Sequence, residues 1–561
     1  MDVLSSAAPG TSDSPSAQGR TAEMLPPTAS AASAGHAVSL ERLAEAFGMV
    51  RRLCPLLPAL AIRWLHLKHP LKPAQEALLR GEGWERRSAA AGSGIIGWLR
   101  SAIRGALYAG SLSVRLARLR WALRRELGAL RRQSFEVIAK TCCIRLEPSP
   151  EGDDFYYGNL QERLQRRGVR TLLLCGDIFD GNWREFSARH LSLSVPCRLP
   201  ELCLVRPSVP ARLAWQQLVS SWRLWRLARS HPDPLVRAAA GRAALDCWLP
   251  DTAWAALTYW IAREAVAVWR PRAFLTFYEG HAWERCAWWG AKDADGSCLT
   301  VGYQHGMVFR ESLALTRPAV DVRARSVPDV VLGLGDIPLE LMRPGHQGHG
   351  VRMLPFGSFR YRDAAATGPA DCARRTVLVT PEGHEPECSA LFAFAAACAS
   401  RLPSYTFIFR MQPGVPLPGV AASIAGYQAR CPNIILSGEP DIAGDCARSS
   451  ILLYRGSSTV VYAALNGLLP VYAHVDALVD TDPLYALAQW RRVCAGPEEF
   501  AALARELEAM SDERRASEWR AAVSYLGRYV GPVQERSIER LMDAMGCSKR
   551  TCGDADGGAG P

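Results

Sequence analysis

The chain has 561 residues, of which 48% are hydrophobic and 22% are charged. This composition is typical of a globular protein and excludes a largely disordered, collagen-like or coiled-coil chain. At about 150 residues per domain, the length predicts several folding units. The sequence has no uncharged apolar run of about 18 residues, which a membrane-spanning helix needs. It also lacks the basic start and apolar core of a secretory signal. We therefore expect a cytoplasmic protein.

The net charge of +11 is concentrated in one segment. Residues 100 to 132 contain nine arginines and a single acid, Glu126, and so contribute +8 of that charge. A general nucleic-acid binder would carry basic surface in many places, so we expect one local basic surface and no nucleic-acid partner. The 17 cysteines form no CxxC pair, which favours reduced thiols over disulfides or zinc ligands.

Both ends of the chain, residues 1–38 and 546–561, are rich in small and polar residues, and we predict them to be disordered. Residues 39–135 are predicted to form a basic amphipathic helical region. Six leucines at steps of three and four share one helix face: Leu112, Leu116, Leu119, Leu123, Leu127 and Leu130. Three interpretations stay open: leucines packed on the protein, a helix on an anionic inner-leaflet membrane surface, or a nucleic-acid contact. The membrane interpretation assigns the lipid contacts to Arg115, Arg118, Arg124 and Arg125.

From Phe135 onward, short apolar runs alternate with helical patterns, which predicts an α/β fold with parallel sheets. We expect two Rossmann-like domains, residues 136–345 and 346–545, facing each other across a cleft. The strand VRMLPFGS is predicted to open the second domain. The helical stretch over 208–268 is predicted to break at His231-Pro232 and at Leu249-Pro250.

Ligands of open α/β sheets bind beyond the carboxyl ends of the strands, so the residues that follow each strand are the informative ones. In the first predicted domain these include Glu279 and His305, a carboxylate and an imidazole suited to act as base, nucleophile or charge stabiliser. The alternatives are a helix-capping role for Glu279 and a hydrogen-bonded turn histidine for His305. In the second, they include Arg360, Glu382 and Arg410.

The segment ILLYRGSSTVVYAALNGL predicts a buried strand, a glycine with three hydroxyl residues, and then a helix. Ser457, Ser458 and Thr459 would stand at the helix start, where free N–H groups suit a phosphate. Simple N-capping is the alternative. Acid-x-acid pairs such as Asp293 and Asp295 are too common to predict a metal site, and the Walker A, HExxH and GxSxG motifs are missing.

An ordered series of motifs resembles bacterial surface-carbohydrate glycosyltransferases of the GT-B architecture, near the 3-deoxy-manno-octulosonic acid transferases and polyol-phosphate transferases. The series covers residues 136 to 500 and reads FYYGNLQERLQRRGVRTLLL, YEGHAWER, VGYQHG, LPFGSFR, FRMQP and YRGSSTVVYAALNGLLPV. The first 135 residues lie outside it. One departure is Gln412, which stands where histidine is common in the Arg/Lys-x-His-Pro turn of that family.

The resemblance implies a glycosyltransferase that moves a sugar from a nucleotide-sugar donor to a growing capsule or O-antigen glycan. It implies donor binding by the second domain at Arg360, Glu382, Arg410 and residues 457–459, with Glu279 and His305 as catalytic residues. It implies no cofactor and no metal, a lipid-linked glycan acceptor, and a cytoplasmic protein peripheral on the inner membrane. The alternatives are a polyol-phosphate transferase or sugar-nucleotide epimerase on the same fold, and a non-catalytic protein of envelope assembly.

Overall fold

The structure is a computed structural model. Besides six residues between positions 42 and 50, it describes residues 95–143, 154–177, 183–194, 196–310, 312–316, 324–360, 368–383, 385–411, 418–475 and 480–547. The segment 1–38, most of the tail 546–561 and Gln412 lie outside the described residues. The described cysteines are all free thiols.

Within these ranges, the first half builds a seven-stranded sheet with the strand order β3-β2-β1-β4-β5-β6-β7. Its strands pair in parallel and are β1 (Val137–Cys143), β2 (Thr171–Asp177), β3 (Cys197–Pro200), β4 (Ala273–Phe277), β5 (Leu299–Tyr303), β6 (Val330–Gly333) and β7 (Arg352–Pro355). The central strand β4 is buried along its whole length, as a sheet covered on both faces requires.

The second half builds a six-stranded parallel sheet in the described residues, with the order β10-β9-β8-β11-β12-β13. Its strands are β8 (Thr376–Thr380), β9 (Thr406–Phe409), β10 (Ile434–Leu436), β11 (Ile451–Tyr454), β12 (Leu469–Ala473) and β13 (Arg492–Cys494). The two Rossmann-like sheets of a GT-B-type α/β protein are therefore present, as the alternating pattern predicts.

Apart from the short segment near position 50, the α-helices of the described residues lie between and around the strands. They are α1 (Ile95–Ala122), α2 (Arg124–Leu130), α3 (Leu160–Gln165), α4 (Trp183–His190), α5 (Val209–Ser230), α6 (Pro234–Asp246), α7 (Pro250–Trp269), α8 (Ala282–Ala294), α9 (Leu313–Thr316), α10 (Asp336–His346), α11 (Glu385–Arg401), α12 (Pro418–Arg430), α13 (Ile442–Arg448), α14 (Thr459–Leu465), α15 (Pro497–Ala509), α16 (Asp512–Tyr529) and α17 (Glu535–Ala544). The predicted breaks at His231-Pro232 and Leu249-Pro250 separate α5, α6 and α7. Helix α6 begins at Pro234, two residues after the first break, and α7 begins at Pro250, and a proline at the first helical position loses no hydrogen bond.

Strand β7 corrects the predicted boundary between the halves. It pairs with β6, from Val330 opposite Arg352 to Gly333 opposite Pro355, and so forms the edge of the first sheet rather than the start of the second. The short loop after α10 brings the chain back beside β6, and this crossover was not visible in the apolar pattern alone. The last helix, α17, also returns to the first half, where Ile538 and Leu541 share a core with Val137 and Leu173.

The six leucines of the helical region are buried in the protein core, which confirms the first of the three interpretations for that helix face. Helix α1 packs mainly on α5. At its first turn the Trp98 indole N–H donates to the Ser221 hydroxyl over 2.7 Å, and near its end Arg120 donates to the carbonyl oxygens of Cys203 and Leu204. The leucine stripe is therefore an internal packing face.

A buried histidine links α10 to the end of β4. The His346 imidazole lies 3.1 Å from the Tyr278 hydroxyl through Nε2 and 2.9 Å from the Met342 carbonyl oxygen through Nδ1. The Met342 carbonyl accepts a hydrogen bond from Nδ1–H, which leaves Nε2 to accept the hydrogen bond of the tyrosine hydroxyl. Burial lowers the pKa of His346 to about 4, so this imidazole is neutral in the folded protein at neutral pH.

Candidate functional site

Three side chains meet at the carboxyl end of the first sheet, and we call them the Glu279 cluster: Glu279, His281 and His305. The Glu279 carboxylate lies 3.1 Å from His281 Nε2 through one oxygen and 3.4 Å from His305 Nε2 through the other. Glu279 follows β4 and His305 follows β5, and these neighbouring parallel strands end at the same sheet edge. The structure therefore brings the two predicted residues together and adds His281 to them.

The turn that carries Glu279 is held by a second carboxylate, Glu284. This fully buried side chain accepts the backbone N–H groups of Glu279, Gly280 and His281 over 2.9 to 3.0 Å. Gly280 adopts a φ of +92°, which favours glycine, and its Cα faces Ala314 so closely that a side chain would collide. Burial raises the pKa of Glu284 to about 8. Glu284 is thus a positioning residue, one helical turn from the site.

Gly306 leaves the room that the Glu279 carboxylate occupies. A Cβ atom at position 306 would lie 2.6 Å from Glu279 Oε1. Gln304, two residues before Gly306, is buried and fixes the loop, because its side-chain oxygen accepts the Leu334 N–H over 3.0 Å and its amide nitrogen donates to the Gly306 carbonyl. The sequence Gln304 to Gly306 therefore shapes one wall of the Glu279 cluster.

Aromatic rings form the floor of the cluster. The Tyr156 ring stacks on Phe277 with 4.2 Å between ring centroids, and it meets the His305 ring edge-on at 4.6 Å. Burial raises the pKa of the Tyr156 phenol well above 10, with a further contribution from the Glu279 carboxylate, so this phenol stays protonated. The low-dielectric floor strengthens the electrostatic interactions of Glu279.

Arg360, predicted to bind the donor in the second half, lies instead beside the first sheet. Its guanidinium carbon sits 4.9 Å over the Phe155 ring, and its charge lowers the pKa of the neighbouring Tyr156 phenol against the larger effect of burial. Because the chain crosses back through β7 before reaching Arg360, this cation is placed near the Glu279 cluster. The sequence pattern could not show that crossover.

The three members of the cluster differ in accessibility. The side chains of Glu279 and His281 are 23% and 27% exposed, whereas that of His305 is 5% exposed. A substrate would thus reach His281 and the outer carboxylate oxygen before it reached His305. Sequence reasoning missed His281 because it precedes α8 and read as part of a helix start. Its spacing of two residues from Glu279, after a strand, is the signal that could have identified it.

A second group of polar side chains lies at the carboxyl end of the second sheet, and we call it the hydroxyl cluster: Thr380, Ser457 and Thr459. The hydroxyls of Ser457 and Thr459 are 2.6 Å apart, and Thr459 donates to the Thr380 hydroxyl over 3.2 Å. Thr380 ends β8, and the other two follow β11, its neighbour in the sheet. Ser458, predicted with them, is half-buried next to both.

Glu382 lies against the backbone of Gly456, just before the hydroxyl cluster. Gly456 has a φ of +65°, and a Cβ at this position would collide with the Glu382 carboxylate. Close approach of the carboxylate therefore depends on glycine. The structure brings Glu382 and the hydroxyl cluster together, as predicted from the strand ends.

The arginines of this sheet edge are held in ion pairs within the protein. Arg410 Nη1 lies 2.6 Å from the carboxylate of Asp445, which is fully buried, and also donates to the Ser437 hydroxyl and the Glu439 carbonyl over 3.1 Å. Arg455 pairs with the Glu387 carboxylate. The charge of Arg410 is therefore already balanced, and this residue fixes the end of β9 against α13.

The loop that follows the Glu279 cluster contacts the second half. The Arg310 guanidinium lies 5.0 Å over the Tyr485 ring, and the Tyr529 hydroxyl accepts the Val308 N–H over 3.1 Å. The Asp482 carboxylate, three residues before Tyr485, accepts the hydroxyl of Tyr454 at the end of β11 over 2.6 Å. A chain of contacts thus connects the strand end that carries His305 with the strand end that carries the hydroxyl cluster.

Within the described part of the chain, no group of three or more His, Cys, Asp or Glu side chains is arranged to hold a metal ion. Across the same residues, every helix is too short or too polar to cross a bilayer.

No protein-family model matches the sequence, and no curated protein matches it significantly. Among solved structures, the chain is similar to a glycosyltransferase from Rickettsia africae at 8% identity, over 74% of this chain and 98% of that one, with a TM-score of 0.38. It is similar to UDP-GlcNAc 2-epimerase from Neisseria meningitidis at 10% identity, over 73% and 99%, with a TM-score of 0.38. It is also similar to α,α-trehalose 6-phosphate synthase from Burkholderia multivorans at 10% identity, over 74% and 98%, with a TM-score of 0.42. These likenesses concern the fold alone.

Proposed function

We propose that the protein is a glycosyltransferase that moves a sugar from a nucleotide-sugar donor to a growing bacterial surface glycan, capsule or O-antigen. The observation that carries the proposal is the Glu279 carboxylate held between two imidazoles at the carboxyl end of a parallel sheet. A carboxylate and imidazole in hydrogen-bond contact form a unit that accepts a proton and stabilises the resulting charge. Its partial exposure leaves it accessible to a hydroxyl substrate.

In the proposed reaction, an acceptor hydroxyl approaches the Glu279 cluster from the open side, where His281 and the outer oxygen of Glu279 lie. The cluster removes the hydroxyl proton as the acceptor oxygen attacks the anomeric carbon of the donor sugar. The bond between that carbon and the phosphate oxygen breaks, and the nucleotide leaves with the bonding electron pair. Arg360, near Tyr156, provides a cation at the rim of the same cluster.

The donor is proposed to bind at the hydroxyl cluster, with Ser458 beside it. Hydroxyl groups at the ends of two adjacent strands can donate to phosphate oxygens. The Glu382 carboxylate accepts hydrogen bonds only and would repel a phosphate, so its proposed partners are the hydroxyls of the ribose or sugar. Arg410 is proposed to act indirectly, by fixing the end of β9 through Asp445.

A donor-binding measurement tests this proposal first. Wild-type protein is screened by thermal shift against CMP-, UDP-, GDP- and CDP-linked sugars, because a ligand that binds only the folded state raises the Tm. Thr459→Val and Ser457→Ala are expected to abolish the shift of the donor that binds. Ser423→Ala, which alters an exposed hydroxyl on α12 in the same half, is the matched control and should keep it.

Transfer is tested next, with a bacterial membrane lipid extract as the acceptor. Acceptor-dependent release of the nucleotide is the expected result, with the labelled sugar recovered in the lipid fraction. Conversion of the donor sugar into its epimer without acceptor would instead establish an epimerase. Binding of donor without any conversion, in the presence of acceptor, would point to a non-catalytic protein.

A further inference from the structure

Helix α1 carries a second apolar stripe, on the face opposite its buried leucines. Six large side chains of this stripe are between 45% and 69% exposed, although side chains of this kind are normally buried. We call them the α1 ridge: Ile96, Leu99, Ile103, Leu107, Val114 and Trp121. The ridge is the largest group of exposed apolar side chains on any described helix, and packing of the core does not require it.

Helical geometry places these six residues in one line. At about 100° per residue, their side chains fall within an arc of roughly 80°, centred about 180° from the buried Gly105 and Leu116. At about 1.5 Å per residue, the ridge extends over roughly 38 Å. The opposite face of α1 is buried in the core along the length of the helix. A partner can therefore contact the ridge only with the helix lying parallel to the partner's surface.

Arginines border the ridge along one flank. Arg100, Arg104, Arg115 and Arg118 are all exposed, and at about 100° per residue they lie roughly 60° to 120° around the helix from the centre of the ridge. At the far end, the Arg124 guanidinium packs 4.5 Å over the Trp121 ring. A long apolar line with a parallel row of cations, ending in a tryptophan, is complementary to an anionic bilayer surface. The apolar groups enter the acyl boundary, the tryptophan lies at the headgroups, and the arginines meet lipid phosphates.

We propose that the α1 ridge docks the protein in the plane of an anionic lipid bilayer, with the arginine flank against the headgroups. The six ridge residues, rather than the leucine stripe that the sequence pattern emphasised, would enter the membrane. This inference does not depend on the proposed glycosyl transfer, because it concerns binding to lipid in the absence of any donor or acceptor.

Vesicle co-sedimentation of the full-length protein tests the inference. The probes are phosphatidylcholine vesicles and vesicles of equal parts phosphatidylcholine and phosphatidylglycerol. The ridge variant combines Ile103→Ser, Leu107→Ser and Trp121→Ser. The matched control combines Leu193→Ser, Leu436→Ser and Val493→Ser, which replaces three apolar residues elsewhere that are 44% to 49% exposed. A charge variant combines Arg100→Gln, Arg104→Gln and Arg118→Gln.

Wild-type protein and the matched control are expected to bind the anionic vesicles and to lose binding as salt is raised. The ridge variant should bind them about tenfold more weakly or worse, and the charge variant should lose the preference for anionic over neutral vesicles. Light scattering without lipid should give the same oligomeric state for all four proteins, and circular dichroism should show each one folded.

Unchanged vesicle binding by a folded ridge variant would overturn the inference, since another part of the chain would then make the lipid contact. A wild-type protein that binds neither kind of vesicle would overturn the inference as well. If the ridge variant converts a lipid-free dimer into a monomer, a second copy of the chain occupies the ridge and the bilayer assignment is wrong.

Discussion

The substitution Gly306→Ala tests the geometry of the Glu279 cluster without touching any of its members. The new Cβ would lie 2.6 Å from Glu279 Oε1, the oxygen that faces His305. An ordinary contact needs about 0.8 Å more, so the carboxylate must move by about that distance. Because the backbone of Gly306 lies outside the left-handed region, alanine is accommodated without backbone strain.

A displacement of the Glu279 carboxylate by this distance should change the catalytic rate much more than it changes the stability of the fold. Misplacement of a catalytic group by about 1 Å can lower turnover on the order of 100-fold, and we expect a loss of that size in kcat. The free energy of unfolding should change by less than about 1 kcal/mol, because the atom that yields is the end of a flexible side chain. Donor binding, which is assigned to the other half, should be unchanged.

The assay compares acceptor-dependent nucleotide release and urea unfolding for wild type and Gly306→Ala. Gly296→Ala, in the loop before β5, is the matched control, because a Cβ there meets no atom within 4 Å. A folded Gly306→Ala protein with wild-type turnover would refute the assignment of catalysis to the Glu279 cluster. A loss of donor binding by the same variant would refute the division of roles between the two clusters.

Three further predictions concern stability. Because His346 has its pKa lowered by burial to about 4, from 6.5, the unfolded chain binds the proton first as the pH falls, and stability is lost between about pH 6.5 and 4. The contribution is up to about 3 kcal/mol, and His346→Gln, whose amide can replace both hydrogen bonds, should flatten that part of the pH profile of urea unfolding; an unchanged slope would contradict this account. Arg410→Ala should lower the free energy of unfolding by about 3 kcal/mol, because it removes the cation closest to the buried Asp445 carboxylate. Adding Asp445→Ala should restore part of that loss. Fully additive losses in the double variant would show that the two residues are not coupled. Gly105→Ala should cost about 1 to 3 kcal/mol, because its Cβ would collide with the Trp248 ring where α1 docks; a neutral effect in thermal unfolding would mean that α1 adjusts freely.

Much of the fold follows from local patterns in the sequence. Apolar runs bounded by turn residues predict the central strands of both sheets, since strands buried on both faces read as continuous hydrophobic segments. The edge strands β3, β10 and β13 were not predicted, because each has only three or four residues and such short runs show no clear strand pattern. The assignment of β7 depends on which neighbour it pairs with, and no local pattern encodes that choice.

The candidate site was predictable where it depends on strand ends. Glu279, His305 and Ser457 follow strands that are recognisable in the sequence as continuous apolar runs. Each of these residues lies at the carboxyl edge of a sheet. The ion pair of Arg410 was not predictable, because its partner Asp445 lies 35 residues further along the chain. The same limitation applies to helix α1, since the sequence shows two apolar stripes and only the packing of α1 on α5 decides which one is buried.

The central claim is that the carboxylate of Glu279 performs the proton transfer for an acceptor-dependent reaction. The most direct measurement is single-turnover nucleotide release by Glu279→Gln with donor already bound, with and without acceptor. We expect donor affinity within about twofold of wild type and a rate lower by about 100-fold to 10,000-fold, because the amide cannot accept the proton. A Glu279→Gln protein that binds donor and releases nucleotide at the wild-type rate when acceptor is added would contradict the claim.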